Sequence, residues 1–330
     1  MQSAAKVLSK TAELSVGYGS KIDFGHRDRL WISADWGLLH LWKDLELEHS
    51  ISNTTAPIGE VSFSQTGDRI LASPHIFNLA NYQWEALPAI KAPLSDQLET
   101  SPPGSFTIRN SAWDAAGNQL VVYSTYRSPR QERRRDAGWS GPTKRLLLLE
   151  GKTRKLLKVL WQGDRIDDFE ALIVSPDFVV AAGRSILLWH RHSDLSPAEL
   201  KNEASANPYA LTRSLRFSPD QTCLGQIRSD GYITLWQTGE WQLLARWQAH
   251  QNDGRAIAFH PHLPVLASGG WDDSLKLWSY QGELIESHAL DNHIEGLTFN
   301  PQGNQLVVAK GGPSSALLIY QVDADAASVS

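Results

Sequence analysis

The 330-residue chain has one cysteine, Cys223. A lone thiol cannot form an internal disulfide framework, a thiolate zinc cluster or a cysteine-ligated iron–sulfur centre within one chain. A reducing, cytoplasmic setting is therefore expected. No segment approaches the roughly 18 consecutive apolar residues that a membrane-spanning helix needs, and integral membrane association is not expected. Residues 1–20 carry Lys6 and Lys10 but lack the apolar run of a secretory signal, so export is not expected either. Neither charge sign dominates: 31 Lys and Arg stand against 36 Asp and Glu, a net charge of −5. That balance excludes a polycation, an acidic tail and a disordered chain. Tryptophan, by contrast, is plentiful, with 13 against 9 phenylalanines and 8 tyrosines. A buried indole needs apolar neighbours and a partner for its N–H, so tryptophan spacing carries information.

Short apolar runs followed by turn residues end at Phe24, Phe63, Trp113, Val174, Phe217, Phe259 and Phe299, with gaps of 39, 50, 61, 43, 42 and 40 residues. FSQTGDRILAS, WDAAGNQLVVYS, FSPDQTCLGQI, FHPHLPVLAS and FNPQGNQLVVA each read as strand, turn, strand. A second series closes on Trp42, Phe77, Leu149, Trp189, Trp236, Trp278 and Tyr320, and a fourth apolar run such as QLLARW or ELIES follows. Four-stranded units of this size cannot bury both faces alone and must stack on their neighbours. The expected fold is an all-β, seven-bladed β-propeller over residues 1–322, with 323–330 as a disordered tail. The last unit shows only three strands, so residues 6–16 are expected to supply the fourth and close the ring.

HQNDGRAIAFHPHLPVLASGGWDDSLKLW places His250, Ser268, Asp272 and Trp278 at a distinctive spacing. On these residues the sequence resembles the WD40 repeat family, and the apolar pattern extends that resemblance over nearly the whole chain. The resemblance implies a histidine–serine–aspartate–tryptophan network satisfying buried polar groups. The preceding unit keeps Asp230 and Trp236, with Pro208 and Gln226 where the histidine and serine would lie.

Three insertions depart from the repeat. Residues 126–144 interrupt the third unit between its second and third strands. With Arg145, this stretch carries Arg127, Arg130, Arg133, Arg134, Arg135 and Lys144 against Glu132 and Asp136, beside Trp139. The resemblance places this loop on the rim where blades connect. Arginines beside an indole grip phosphates or carboxylates, while the same composition also reads as a solvated loop. Residues 91–105 and 193–208 join successive units. In the latter, Ser196, Pro197 and Glu199 form a helix-start pattern, so a short helix is expected.

Four positions before the first-strand markers stand Gly59, Arg109, Glu170, Arg213, Arg255 and Glu295. They are expected at the channel mouth, either recognising a charged peptide or neutralising one another. Trp271, just before Asp272, occupies a turn where the family often exposes a contact residue, and reads as an interface anchor or as packed under a loop.

Catalytic motifs are scarce. Gly151-Lys152-Thr153 lacks the earlier glycine of a phosphate loop, where Leu146 stands. His190 with His192, and His260 with His262, lack a third metal ligand. There is no G-x-S-x-G elbow, no H-E-x-x-H helix and no paired-cysteine motif. The leading expectation is a non-catalytic scaffold or adaptor that binds partner proteins through its loop-rich rim and needs no cofactor. The candidate contacts are Trp271, Arg109, Arg213, Arg255, Arg133, Arg134, Arg135 and Trp139. Nucleic-acid or anionic-surface binding through residues 127–145 is the alternative, with a propeller hydrolase or metal enzyme behind it.

Overall fold

The turn residues that punctuate the sequence separate short antiparallel strands, and β-branched and leucine-rich runs fill the sheets between them. The computed structural model describes residues 6–16, 19–24, 29–34, 38–43, 46–52, 61–64, 68–72, 75–86, 105–114, 118–127, 143–153, 155–163, 169–193, 196–200, 207–323 and 325. These residues form seven four-stranded antiparallel sheets.

Six of the sheets are built from four consecutive strands each. Sheet one holds β2 (Gly19–Phe24), β3 (Arg29–Ala34), β4 (Leu38–Lys43) and β5 (Glu46–Ser52). Sheet two holds β6 (Val61–Phe63), β7 (Arg69–Ala72), β8 (His75–Asn78) and β9 (Gln83–Ala86). Sheet three holds β10 (Ser105–Trp113), β11 (Gln119–Arg127), β12 (Thr143–Glu150) and β13 (Leu156–Gly163). Sheet four holds β14 (Ala171–Val174), β15 (Phe178–Ala182), β16 (Ile186–His190) and β17 (Ala198–Leu200). Sheet five holds β18 (Thr212–Phe217), β19 (Cys223–Arg228), β20 (Tyr232–Gln237) and β21 (Leu243–Gln248). Sheet six holds β22 (Gly254–Phe259), β23 (Val265–Gly270), β24 (Ser274–Ser279) and β25 (Leu284–Ala289). The remaining sheet is composite: β26 (Ile294–Phe299), β27 (Gln305–Lys310) and β28 (Ala316–Val322) are completed by β1 (Leu8–Ser15) from the other end of the chain.

The first strand of each sheet packs against its neighbour's. β2 meets β6 and β26, β22 meets β18 and β26, and β14 meets β10 and β18, while β7 of sheet two approaches β10. The strands thus surround an axis, the arrangement of a β-propeller. Seven apolar clusters lie between successive sheets. Leu39 and Leu41 of sheet one, for example, pack on Ile70 and Phe77 of sheet two. Val121 and Tyr123 of sheet three pack on Phe169 and Trp189 next to and within sheet four. Each fully buried leucine or phenylalanine contributes about 1.5–3 kcal/mol relative to exposure. Because every sheet shares its buried face with the next, the ring has to close to protect both.

Closure depends on a few polar contacts as well as on the β1–β28 ladder. Glu286 on β25 reaches from sheet six to the start of β1, where one carboxylate oxygen accepts the backbone N–H groups of Val7 (2.7 Å) and Leu8 (2.9 Å). Its other oxygen lies 2.6 Å from His288 Nε2. Lys310, 3 % exposed, pairs with Glu13 of β1 at 3.1 Å and with Asp291 at 2.9 Å. Although burial disfavours its charge, those carboxylates hold the Lys310 ammonium more firmly protonated than usual.

The helix expected from Ser196, Pro197 and Glu199 is a correction: residues 198–200 form strand β17, with Ile186 paired to Leu200 and Leu188 to Ala198. The outer edge of β16 offers unpaired backbone groups, and pairing with them outweighs the local helix-start pattern. Lys144 and Arg145, counted with the basic loop, are also not loop residues. They lie on β12 and are 8 % and 7 % exposed. Arg130, Arg133, Arg134, Arg135 and Trp139 fall outside the described residues, as do Gly59, most of 91–105 and the tail from 326 onward.

Candidate functional site: the channel mouth

The inner strands contain an irregularity that the sequence pattern hides. Their register skips one residue between Ile108 and Asn110, Thr212 and Ser214, Gly254 and Ala256, and Ile294 and Gly296. The skipped residues are Arg109, Arg213, Arg255 and Glu295. A bulge leaves its extra residue outside the ladder and re-aims the side chain. Glu170 comes immediately before β14, its N–H donating to the Ala182 carbonyl at 2.9 Å.

Three of these charged residues, with Glu170, are joined in one chain of contacts around the mouth. Arg213 Nη1 donates to Glu170 Oε2 at 2.6 Å. The same guanidinium grips Asp253 with two hydrogen bonds, Nε to Oδ1 at 3.1 Å and Nη2 to Oδ2 at 2.9 Å. Asp253 also lies 3.6 Å from Arg255 Nη1, and Arg255 Nη2 donates to Glu295 Oε2 at 2.8 Å. Burial works against the charge on Arg213, yet Asp253 and Glu170 hold it more firmly protonated than an isolated arginine. Of the two sequence expectations for this ring, mutual neutralisation describes Arg213 and Arg255. Arg109 differs: it is exposed and forms no ion pair among the described residues.

Trp271 stands on the turn between β23 and β24 and is 43 % exposed. Its indole N–H donates to Glu295 Oε1 at 3.1 Å. The Arg255 guanidinium lies 5.0 Å from its ring centroid and the His293 ring 5.4 Å away. Its own backbone N–H donates to the Asp253 carbonyl at 2.8 Å. The indole is thus fixed from below and from the side with much of its surface left to solvent. An anchor held this way gives up little rotamer freedom on binding.

The turn that presents Trp271 is braced by the network beneath it. His250, fully buried, contacts Asp272 Oδ1 through Nδ1 at 2.7 Å and Ser268 Oγ through Nε2 at 2.8 Å. Trp278 Nε1 donates to the same Ser268 oxygen at 2.9 Å. Ser274 Oγ donates to Asp272 Oδ1 at 2.6 Å and the Gln251 N–H to Oδ2 at 3.1 Å. Burial alone would raise the Asp272 pKa, but the hydrogen bonds from His250 and Ser274 overcome it and hold the carboxyl well below the ordinary aspartate range. Sheet five makes a different arrangement: Gln226 Nε2 donates to Thr212 Oγ1 at 2.6 Å, and Thr212 Oγ1 donates to the Gly183 carbonyl at 2.8 Å. Arg228 Nη2 lies 3.5 Å from Asp230.

Of the paired histidines, His190 ends strand β16, while His192, His260 and His262 lie outside the strands. His260 Nε2 contacts the Gly303 carbonyl at 2.9 Å and His262 Nε2 the Pro301 carbonyl at 3.0 Å. His192 lies 3.9 Å from Asp177. Among the described residues no group of three or more His, Cys, Asp or Glu could hold a metal ion, and no helix is long and apolar enough to cross a membrane. Gly151-Lys152-Thr153 is the turn between β12 and β13, with the Gly151 N–H donating to the Asn118 carbonyl. Sequence reasoning missed Asp253, the carboxylate shared by two arginines. It lies two residues before the bulged Arg255, and nothing in its local pattern marks it.

Comparison with known proteins places the resemblance more narrowly than the sequence pattern did. The sequence model described as WD domain, G-beta repeat matches residues 241–279. The expectation of a family match over nearly the whole length is corrected accordingly: the match covers residues 241–279. The chain is 28 % identical over 168 residues to the mouse telomerase protein component 1, covering 50 % of this chain and 6 % of that protein. It is 26 % identical over 133 residues to the Drosophila melanogaster protein groucho, covering 38 % and 18 %. It is 26 % identical over 125 residues to eukaryotic translation initiation factor 3 subunit I of Phaeosphaeria nodorum, covering 37 % of each. The chain thus spans well under two thirds of the length of these relatives.

Proposed function

We propose that the protein is a non-catalytic WD40-type scaffold that binds partner proteins on the face carrying the channel mouth. The observation that carries this reading is Trp271, an indole nearly half exposed yet held by Glu295, Arg255 and His293. Tryptophan and arginine dominate the energetics of protein interfaces, most of all where they are fixed before binding. The arginines beside it, Arg213 and Arg255, are already paired to carboxylates, so apolar burial of the indole, and not their charge, drives attachment. Two of the similar proteins are named as a component or a subunit, which accords with a part played inside an assembly. Fold likeness alone identifies no pathway.

Crosslinking mass spectrometry on native extract, with wild-type protein and Trp271→Ala compared, tests the proposal. Crosslinks to a protein partner should concentrate on the turns around Trp271 and Asp253 and vanish in the variant. Partner crosslinks confined to the outer strands, or unchanged in the variant, would overturn the assignment. Recovery of nucleic acid alone, abolished by added salt, would favour the alternative expected of the arginine-rich insertion.

A further inference from the structure

The charged groups around Trp271 are sorted by depth, with cations held inward and carboxylates facing solvent. Arg213 and Arg255 are each 24 % exposed, and each contacts two carboxylates. Lys276, less exposed still, donates to the Ala249 carbonyl at 2.6 Å and lies 3.6 Å from Asp272. Lys310 is buried between Glu13 and Asp291. Asp291, by contrast, is 68 % exposed, so its contact with Lys310 leaves much of the carboxylate open to water. Asp273 is exposed and forms no ion pair among the described residues. Of the exposed cations, Lys10 is taken up by Glu13 at 2.6 Å, and Arg109 belongs to sheet three.

The two outward carboxylates and the indole form one patch. Asp273 follows Trp271 by two residues on the turn between β23 and β24, and its carbonyl accepts the Leu290 N–H at 2.7 Å. Asp291 comes directly after Leu290, and the His293 ring, two residues further on, lies 5.4 Å from the indole. A lysine or arginine carries an apolar stem that packs on an aromatic surface and a cation that reaches beyond it. An indole bordered by outward carboxylates suits both halves of such a side chain: the ring takes the stem, and Asp273 or Asp291 takes the head. An acidic segment would meet those carboxylates while finding Arg213 and Arg255 already engaged, and like charges brought together oppose docking. A purely apolar segment would strip them of water without supplying a partner.

We propose that the partner segment docking on Trp271 is basic, a lysine- or arginine-bearing stretch of polypeptide whose cations pair with Asp273 and Asp291. The charge preference rests on docking at Trp271 and adds the partner's chemistry to it.

The test is a phage-displayed library of random peptides, panned against the full chain and counter-panned against Trp271→Ala. Peptides that need Trp271 should be rich in lysine and arginine and poor in aspartate and glutamate, and their affinity should fall with added salt. For a selected synthetic peptide followed by fluorescence polarisation, Asp273→Asn should weaken binding about threefold, and Asp273→Asn combined with Asp291→Asn about tenfold. Asparagine tolerates the left-handed backbone that Asp273 adopts at a φ of +57°, so the turn is kept. Glu283→Gln, at the turn between β24 and β25 on the opposite rim, should leave binding within about twofold. Far-UV circular dichroism confirms that each variant folds, and the composition of the selected peptides carries the test if one does not. Peptides that need Trp271 but are uncharged or acidic, or that bind the double variant as tightly as wild type, would overturn the basic partner and leave the docking face standing. Equal losses in Glu283→Gln and Asp273→Asn would do the same. Recovery of no peptide that needs Trp271 would overturn both.

Discussion

Ser268 offers the sharpest perturbation of the architecture because one atom serves two buried groups. Its Oγ lies 2.8 Å from His250 Nε2 and 2.9 Å from Trp278 Nε1, and the residue has no solvent exposure. Ser268→Ala removes the shared partner and leaves an imidazole nitrogen and an indole N–H buried. At about 1–3 kcal/mol for each unsatisfied group, and allowing that one relaxes toward a neighbour, the loss of stability should be about 2–4 kcal/mol. Trp278→Phe deletes the indole donor with its need for a partner and should cost less, about 1–2 kcal/mol, mainly as lost packing. The two changes touch one network, so they should not add: Ser268→Ala made in the Trp278→Phe background should cost at least about 1 kcal/mol less than in wild type. Urea unfolding followed by far-UV circular dichroism measures all four proteins, with free energies taken from linear extrapolation. Refutation would come from a Ser268→Ala cost below about 0.5 kcal/mol or from additivity within error.

Glu286→Ala should loosen ring closure: two backbone N–H groups lose their acceptor, and amide exchange along β1 should quicken about tenfold or more relative to β27, read by hydrogen-exchange mass spectrometry. Asp272 has a depressed folded-state pKa, so its contribution is present above the unfolded value of about 3.9 and is lost as pH falls through and below it. Asp272→Asn should therefore flatten the stability-versus-pH profile below about pH 4, while wild type falls steeply there. Gly231 sits at a φ of +81°, and a Cβ there would approach the His250 carbonyl oxygen to 2.0 Å. Gly231→Ala should destabilise by more than about 2 kcal/mol, measured in the same urea titration.

Much of the fold could be read from apolar runs and turn residues because sheets repeat locally. Phe24, Phe63, Trp113, Val174, Phe217, Phe259 and Phe299 each end the first strand of a sheet. The His250, Ser268, Asp272 and Trp278 spacing places four side chains in contact: Ser268 and Trp278 lie diagonally on the adjacent strands β23 and β24, with Asp272 on the turn between them and His250 just before β22. Cross-sheet relations were not legible. Which carboxylate answers Arg213 depends on how sheets four, five and six pack, and the bulges that present the mouth residues leave no composition signature. The residues read as a helix start became β17 because an open strand edge is a tertiary fact.

The docking face can be tested most directly by affinity, using the partner identified by crosslinking. Trp271→Ala and Leu243→Ala each remove an exposed apolar side chain, the first at the mouth and the second, 55 % exposed, on the outer strand β21. The account predicts that Trp271→Ala weakens binding about tenfold or more, corresponding to about 1.4 kcal/mol, while Leu243→Ala leaves it within about twofold. The reverse order would contradict it.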